Sequence, residues 1–169
     1  MYLILTASKD TYITDKVIDN SYRAVDANVG YAGTIDIFKL FDESTWLSGS
    51  TRITGSVSEV SRALIKFDWD VVKTLTGSSL NLNSSRFQAK LKLYDIMGGQ
   101  ATPSYFYLVS YPLSKSFQEG IGRDVASFGD LDVANFITAS VTNGSVSAWE
   151  ISGANCGGLL GDSDLDYIS

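Results

Sequence analysis

The stretch that decides the fold class is Arg62-Ala63-Leu64-Ile65-Lys66-Phe67-Asp68-Trp69, in which alternate side chains belong to opposite faces of an extended chain. One face carries Ala63, Ile65, Phe67 and Trp69, and the other carries Leu64, Lys66 and Asp68. A repeat of two is typical of a β-strand with one face on a core and one face in water. We therefore predict a strand here, with the face of Lys66 and Asp68 exposed to solvent.

Three other apolar runs extend this pattern along the chain. The run from Phe87 to Ile96 alternates, and it predicts a strand with Ala89, Leu91 and Leu93 inward and Lys90 and Lys92 outward. The run from Tyr105 to Pro112 is apolar on both faces, which favours a central strand, and Met1 to Thr6 is predicted to be the first strand. Fifteen glycines, two prolines and many Ser and Thr residues separate such short runs, which indicates an all-β domain.

The connections between these runs predict little helix. Asp70 to Gly77 offers a capping aspartate and a terminating glycine around two turns, so we predict a short helical crossover. Residues 42–59 are rich in Ser, Thr and Gly and are predicted to form a long exposed loop or hairpin. Residues 124–139 are interrupted by Gly129 and are predicted to be a loop with one helical turn.

Composition and charge argue against several classes of function. Thirteen Lys and Arg against nineteen Asp and Glu leave a net charge of −6, with the basic residues scattered singly, so we predict no nucleic-acid partner. The absence of histidine removes the commonest zinc ligand and the usual base of a Ser or Cys nucleophile. Cys156 is the only cysteine, which precludes an intramolecular disulfide. The N-terminus has neither a charged n-region nor a long apolar run, so we predict neither a signal peptide nor membrane insertion.

Possible reaction centres are weak in this sequence. Asp162, Asp164 and Asp166 have the spacing that begins a calcium loop, but Tyr167 stands where that loop needs glycine, so a solvated acidic turn is the preferred interpretation. The candidates for an acid–base pair of carboxylates are Glu119, Asp124, Asp130 and Asp132. Their spacing in the sequence does not show whether two of them lie at the separation that such a pair needs. We predict no catalytic residue, no metal and no cofactor, and hence a protein that is not an enzyme.

Exposed aromatic side chains are the remaining candidates for binding, because they offer rigid apolar area that stacks on sugar rings or on partner surfaces. The candidates for glycan or partner contact are Trp46, Tyr31, Tyr105 and Tyr107. A place in the core remains the alternative for each of them. Trp46 lies in the polar stretch at 42–59, which favours the surface more than for the three tyrosines.

Short motifs along the chain are similar to those of the DNRLRE-type jelly roll, a β-sandwich module of extracellular and carbohydrate-binding proteins. The matching pieces, in order, are Ser8-Lys9-Asp10-Thr11-Tyr12-Ile13, Asn28-Val29-Gly30 with Thr34-Ile35-Asp36-Ile37, Arg62 to Asp68, Ala89-Lys90-Leu91-Lys92-Leu93-Tyr94, Ser116-Phe117-Gln118-Glu119-Gly120 and Trp149. Phe117 stands where that family has tryptophan. The resemblance implies one antiparallel β-sandwich over residues 1–169, with long loops and one or two short helical segments. By the same comparison, the chain looks like a domain that lacks its last C-terminal strands.

The same resemblance bears on function, because the sequence looks most like modules of this type in virion proteins of marine bacteriophages. It implies a structural subunit of the tail, neck or a head-attached fibre, assembled in the host cytoplasm, whose partners are other virion proteins and copies of itself. A sheet edge at or beside residues 157–169 is predicted to pair with another chain. The rival expectation is a carbohydrate-binding module that recognises host-surface or extracellular glycans through its exposed aromatics.

Overall fold

Strands make up most of the regular structure, and one short helix accompanies them among the described residues. The computed structural model describes residues 2–19, 21–41, 46–48, 51–53, 57–77, 80–96, 108–126 and 132–154, with the backbone alone at 41, 46–48, 51–53, 57 and 58. The elements in chain order are β1 (Ala7–Thr14), β2 (Val17–Ile18), β3 (Tyr22–Arg23), β4 (Lys39–Phe41), β5 (Trp46–Ser48), β6 (Thr51–Ile53), β7 (Val57–Phe67), α1 (Asp70–Thr76), β8 (Thr138–Thr142) and β9 (Ser145–Ala148). The all-β prediction is confirmed.

The central element is β7, the longest strand, which lies between β1 and β4 in a three-stranded sheet. β4 pairs with it antiparallel, Lys39 opposite Val60. β1 also runs against it, since the Ser8 hydroxyl donates to the Lys66 carbonyl at 3.2 Å and the Thr14 hydroxyl to the Val60 carbonyl at 2.9 Å. Three antiparallel pairs, β2–β3, β5–β6 and β8–β9, complete the sheets of the described residues. The β5–β6 pair confirms the hairpin predicted within 42–59.

The strand predicted at 62–69 is confirmed by β7, and Lys66 and Asp68 are exposed as predicted, but two of its apolar residues are assigned to the wrong surroundings. Leu64, which the alternation places on the solvent face, is 6 % exposed and belongs to the core, whereas Trp69 lies beyond the strand and is 52 % exposed. Alternation shows that two faces differ. It does not show which face a distant segment will cover when both carry apolar side chains.

Two predicted strands are wrong. Residues 2–6 belong to no strand, since β1 begins at Ala7, and residues 87–96 belong to none either, with Leu91 and Leu93 exposed. Of the third run, residues 108–112 form no central strand and 105–107 lie outside the described residues. Period-two alternation measures amphipathic character, and a strand also requires a partner strand with which to share its hydrogen bonds.

The helical predictions are partly confirmed. α1 ends before Gly77 as expected, but Trp69 occupies the N-cap position and Asp70 is already helical. The Asp68 carboxylate accepts the Asp70 backbone N–H at 3.0 Å, so the turn-forming carboxylate lies two residues earlier than predicted. Residues 124–126 and 132–137 form turns and bends, and β8 follows them, whereas 127–131 lie outside the described residues, so the predicted helical turn stays a prediction. Among the described residues, no helix has the length and apolar character that a bilayer span requires.

The chain divides into two compact units, Met1–Ser8 with Lys66–Val109 and Lys9–Ile65 with Ser110–Ser169. The second unit, which we call the core unit, contains a cluster of buried side chains: Ile13, Leu64, Phe117, Ala134, Ala139, Trp149 and Ala154, with half-buried Leu113 packed against them. In the first unit, Val72 is the one buried apolar side chain among the described residues. The single-domain assignment of residues 1–169 stays a prediction.

Candidate functional site

Asn28 connects three segments of the core unit from a fully buried position. Its side-chain Nδ2 donates to the carbonyl oxygens of Glu119 at 2.8 Å and Ala134 at 2.9 Å. Its Oδ1 accepts the backbone N–H of Gly122 at 2.7 Å and of Gly30 at 3.3 Å. Both amide protons and both oxygen lone pairs are therefore satisfied, which is the full capacity of an asparagine side chain. Asn28 acts as a structural node that positions the surrounding loops.

The segment 117–120 closes the open edges of two strands with its side chains. The Glu119 carboxylate accepts the backbone N–H of Asp10 in β1 at 2.8 Å. The Gln118 side-chain oxygen accepts the backbone N–H of Val141 in β8 at 2.9 Å, and the Gln118 backbone N–H donates to the Ala139 carbonyl at 3.0 Å. These groups take the place of a neighbouring strand, because each unpaired edge N–H needs an acceptor.

Glycine is required where this segment approaches Asn28. Gly120 has φ +78°, in the left-handed region, and a Cβ there would collide with the Asn28 side-chain amide. A Cβ at Gly30 would collide with the carbonyl oxygens of Glu119 and Gly120. The motif pieces Asn28-Val29-Gly30 and Ser116 to Gly120 are thus packed directly against each other, although some 90 residues separate them.

A shallow, open groove of about 620 Å³ lies on the surface beside this node. The groove is lined by residues from several segments of the core unit, including Lys9 of β1, Tyr31, Glu119, Ile121, Asp132 and Asn143. Asn143 and Gly144 form the turn between β8 and β9, with φ +52° and +75°. Two positive φ values in succession are the geometry of a tight hairpin turn, which fixes one wall of the groove.

The structure describes the side chain of one of the four predicted contact residues. Tyr31 is 61 % exposed and lines the groove. Trp46 lies in β5 with its side chain outside the described residues, and Tyr105 and Tyr107 are outside them altogether. The same holds for Asp130, Cys156 and the acidic residues 162, 164 and 166, so nothing tests the interpretations placed on them.

The carboxylates considered for acid–base chemistry have different surroundings. Glu119 is engaged by the Asp10 backbone, and Asp132 lines the groove and is exposed. Asp124 accepts the backbone N–H of Ala126 at 2.8 Å within its own turn. In the part of the chain that the structure describes, no group of three or more Asp, Glu, Cys or His residues could hold a metal ion.

The chain matches no protein-family model, no curated protein and no solved structure.

Sequence reasoning missed most of the groove. The sequence indicates Asp132 as a candidate carboxylate and places Lys9 in a motif piece, but it gives no sign that either residue borders a groove. Lys9, Asp132 and Asn143 lie in different segments, which only the tertiary fold brings together. One local signal was available: Asn143-Gly144 between two apolar–polar runs is a strong hairpin signature. It predicts the turn, but not that the turn borders a groove.

Tyr12 gives the core unit a specific sensitivity to alkali. Burial, with added repulsion from Asp36 and Asp124, raises the pKa of Tyr12 from 10.0 to about 12. The folded state thus holds the proton more tightly than the unfolded state, so the stabilisation is complete below pH 10 and is lost as the pH rises toward 12. At roughly 1.4 kcal/mol per pK unit, the loss is roughly 2–3 kcal/mol.

Urea unfolding between pH 8 and 12 would measure this loss. Tyr12→Phe should remove that part of the pH dependence, whereas Tyr94→Phe, at an exposed tyrosine, should keep it. An identical alkaline decline in wild type and Tyr12→Phe would show that Tyr12 ionisation is not the cause.

Proposed function

We propose that this chain is a non-enzymatic structural subunit of a bacteriophage particle, a β-sandwich of the jelly-roll type that associates with copies of itself and with other virion proteins. The place in a virion tail, neck or fibre is supported by the motif resemblance. Association is supported by the exposed apolar surface, since more large apolar side chains are exposed than buried among the described residues.

The observation that carries the proposal is the segment 87–96, which we call the apolar segment. Leu91, Leu93 and Tyr94 are 52 %, 48 % and 76 % exposed, and the segment belongs to no helix or strand in the part of the chain that the structure describes. Its alternation of Leu with Lys nevertheless suits a strand. A strand from a neighbouring subunit would supply the missing hydrogen-bond partners and cover the apolar face.

Charge favours a second copy of this chain as the neighbour. The apolar segment carries two lysines, Lys90 and Lys92, and one carboxylate, Asp95. It is therefore locally positive on a chain whose net charge is −6. Opposite potentials steer encounter and fix orientation.

The β9 edge is a poorer site for strand addition. The Lys115 ammonium donates to the Ala148 carbonyl oxygen at 2.6 Å, which places a charged side chain at the end of this edge strand. Lysines at sheet edges discourage pairing with another chain. We therefore propose association at the apolar segment; residues 157–169, where the sequence predicts a pairing edge, lie outside the described residues.

Sedimentation of a charged variant tests this placement. We expect the wild type to form oligomers as its concentration rises and the double variant Leu91→Glu, Leu93→Glu to remain monomeric, because carboxylates would be buried unpaired in the contact. Val146→Glu, at an exposed position of β9, is the matched control and should associate like the wild type. A monomeric wild type over the whole range, or a double variant that still associates, would contradict the proposal.

A second function, glycan recognition, is supported by the exposed ring of Tyr31 at the groove. It is compatible with assembly, since the groove lies in the core unit and the apolar segment in the other unit.

A further inference from the structure

We propose that the groove beside Asn28 is a binding site for an uncharged carbohydrate, with the ring of Tyr31 as its stacking platform, an inference that rests on the glycan-recognition function. The site is defined by Lys9, Tyr31, Glu119, Ile121, Asp132 and Asn143. Its volume of about 620 Å³ lies within the range of roughly 300–1,000 Å³ that small-molecule sites occupy.

Hydrogen bonds hold the backbone that carries Tyr31. The Tyr31 N–H donates to the Gly122 carbonyl at 2.7 Å, and the next residue, Ala32, donates to the Val29 carbonyl at 3.0 Å. Gly122 is in turn bonded through its N–H to the Asn28 side chain. The exposed ring therefore stands on a backbone that is held on both sides. A backbone ordered before binding loses little conformational entropy when a ligand stacks on the ring that it carries.

Hydrogen-bonding groups of both kinds surround the ring. Lys9 is a donor, Asp132 is an acceptor and Asn143 offers both functions. Their placement on β1, on a bend and on a hairpin turn spreads them around the groove. A sugar presents an apolar C–H face to an aromatic ring and hydroxyl groups at its periphery. The groove offers the Tyr31 ring to the C–H face and polar side chains to the hydroxyl groups.

Charge and shape select against other ligand classes. The charged residues that line the groove are one cation, Lys9, and two carboxylates, Glu119 and Asp132. Because negative charge is in excess, the groove does not attract phosphates or acidic sugars. A purely apolar ligand would need an enclosed apolar cavity, whereas this groove is open and has carboxylates in its wall. An open, mixed groove accommodates an extended, uncharged, hydroxyl-rich chain.

Saturation-transfer NMR and calorimetric titration of the full chain would test the site. The probes are cellotriose, maltotriose and chitotriose as neutral sugars, with sialyllactose as the acidic comparison. We expect at least one neutral trisaccharide to bind with a Kd of about 1 mM or tighter, and sialyllactose to bind more weakly. Tyr31→Ala should weaken binding of the neutral sugar roughly tenfold or more, because it removes both the stacking ring and its apolar contact area.

Two further variants separate stacking from other causes. Tyr31→Phe keeps the ring and should bind within about twofold of the wild type. Tyr2→Ala removes an exposed tyrosine that neither lines the groove nor belongs to the apolar segment, and the affinity should not change. Binding by none of the neutral sugars, a preference for sialyllactose, or wild-type affinity in Tyr31→Ala would overturn the proposal. Each of these outcomes leaves the assembly test at the apolar segment unaffected.

Discussion

Asn28→Ala should destabilise the core unit by roughly 3–5 kcal/mol, because it leaves buried hydrogen-bonding groups of Gly122, Glu119 and Ala134 without their partner. Each buried group without a partner costs about 1–3 kcal/mol. A natural domain has only about 5–15 kcal/mol of stability in total. Urea unfolding followed by circular dichroism would measure the change.

Two further variants make the Asn28 experiment specific. Asn28→Asp keeps an acceptor for the Gly122 N–H but faces the carbonyl oxygens of Glu119 and Ala134 with a carboxylate oxygen. It should be as destabilising as alanine at neutral pH and less so in acid, where a protonated carboxyl group can donate. Asn83→Ala, at an exposed asparagine, is the control and should change stability by less than about 0.5 kcal/mol. Similar losses at Asn28 and Asn83 would disprove the role of Asn28 as a node.

Trp149→Ala is expected to cost roughly 3–5 kcal/mol, the usual range for removing a buried tryptophan. Trp149 is 5 % exposed in the core cluster, and its indole N–H donates to the Asn135 carbonyl at 2.8 Å. Asn135 itself holds the start of β8, since its side-chain oxygen accepts the N–H of Thr138 at 2.7 Å. Loss of the indole therefore removes both packing and an anchor of β8.

A graded pair of variants separates the two contributions of Trp149. Trp149→Phe retains an aromatic ring but not the N–H, so it should cost less than alanine while still leaving the Asn135 carbonyl without its indole donor. Trp69→Ala, at a half-exposed tryptophan of the other unit, is the control and should cost less than about 1 kcal/mol. Equal effects at positions 149 and 69, measured by urea unfolding, would show that the core cluster does not depend on Trp149.

The core unit connects stability with the proposed sugar binding. The bonds of Asn28 to Glu119 and Gly122 hold the loops that form the groove and support the backbone of Tyr31. Variants of Asn28 are therefore expected to impair sugar binding through loss of structure, which is why the binding test uses the exposed ring of Tyr31 instead. The apolar segment lies in the other unit and can be altered separately.

Local patterns predicted part of the regular structure. β7, the hairpin within 42–59 and α1 were all predictable from alternation, turn residues and a terminating glycine. The predicted strand at 87–96 was wrong, although its alternation is as regular as that of β7. Both stretches are amphipathic, but only β7 has strands on both of its edges among the described residues. Pairing depends on distant segments, which a local pattern does not contain.

The sequence by itself determined that this chain is rich in strands, and it named Tyr31 as an aromatic residue available for contact. Only the tertiary structure decided that Leu64 is buried and that Asn28 bonds to Glu119, 91 residues away. It also decided that Tyr31 stands beside Asp132 and Asn143 in one groove. The physical reason is range: side-chain alternation and turn preferences act over a few residues, whereas a buried amide or a groove is formed by segments that meet only when the whole unit folds.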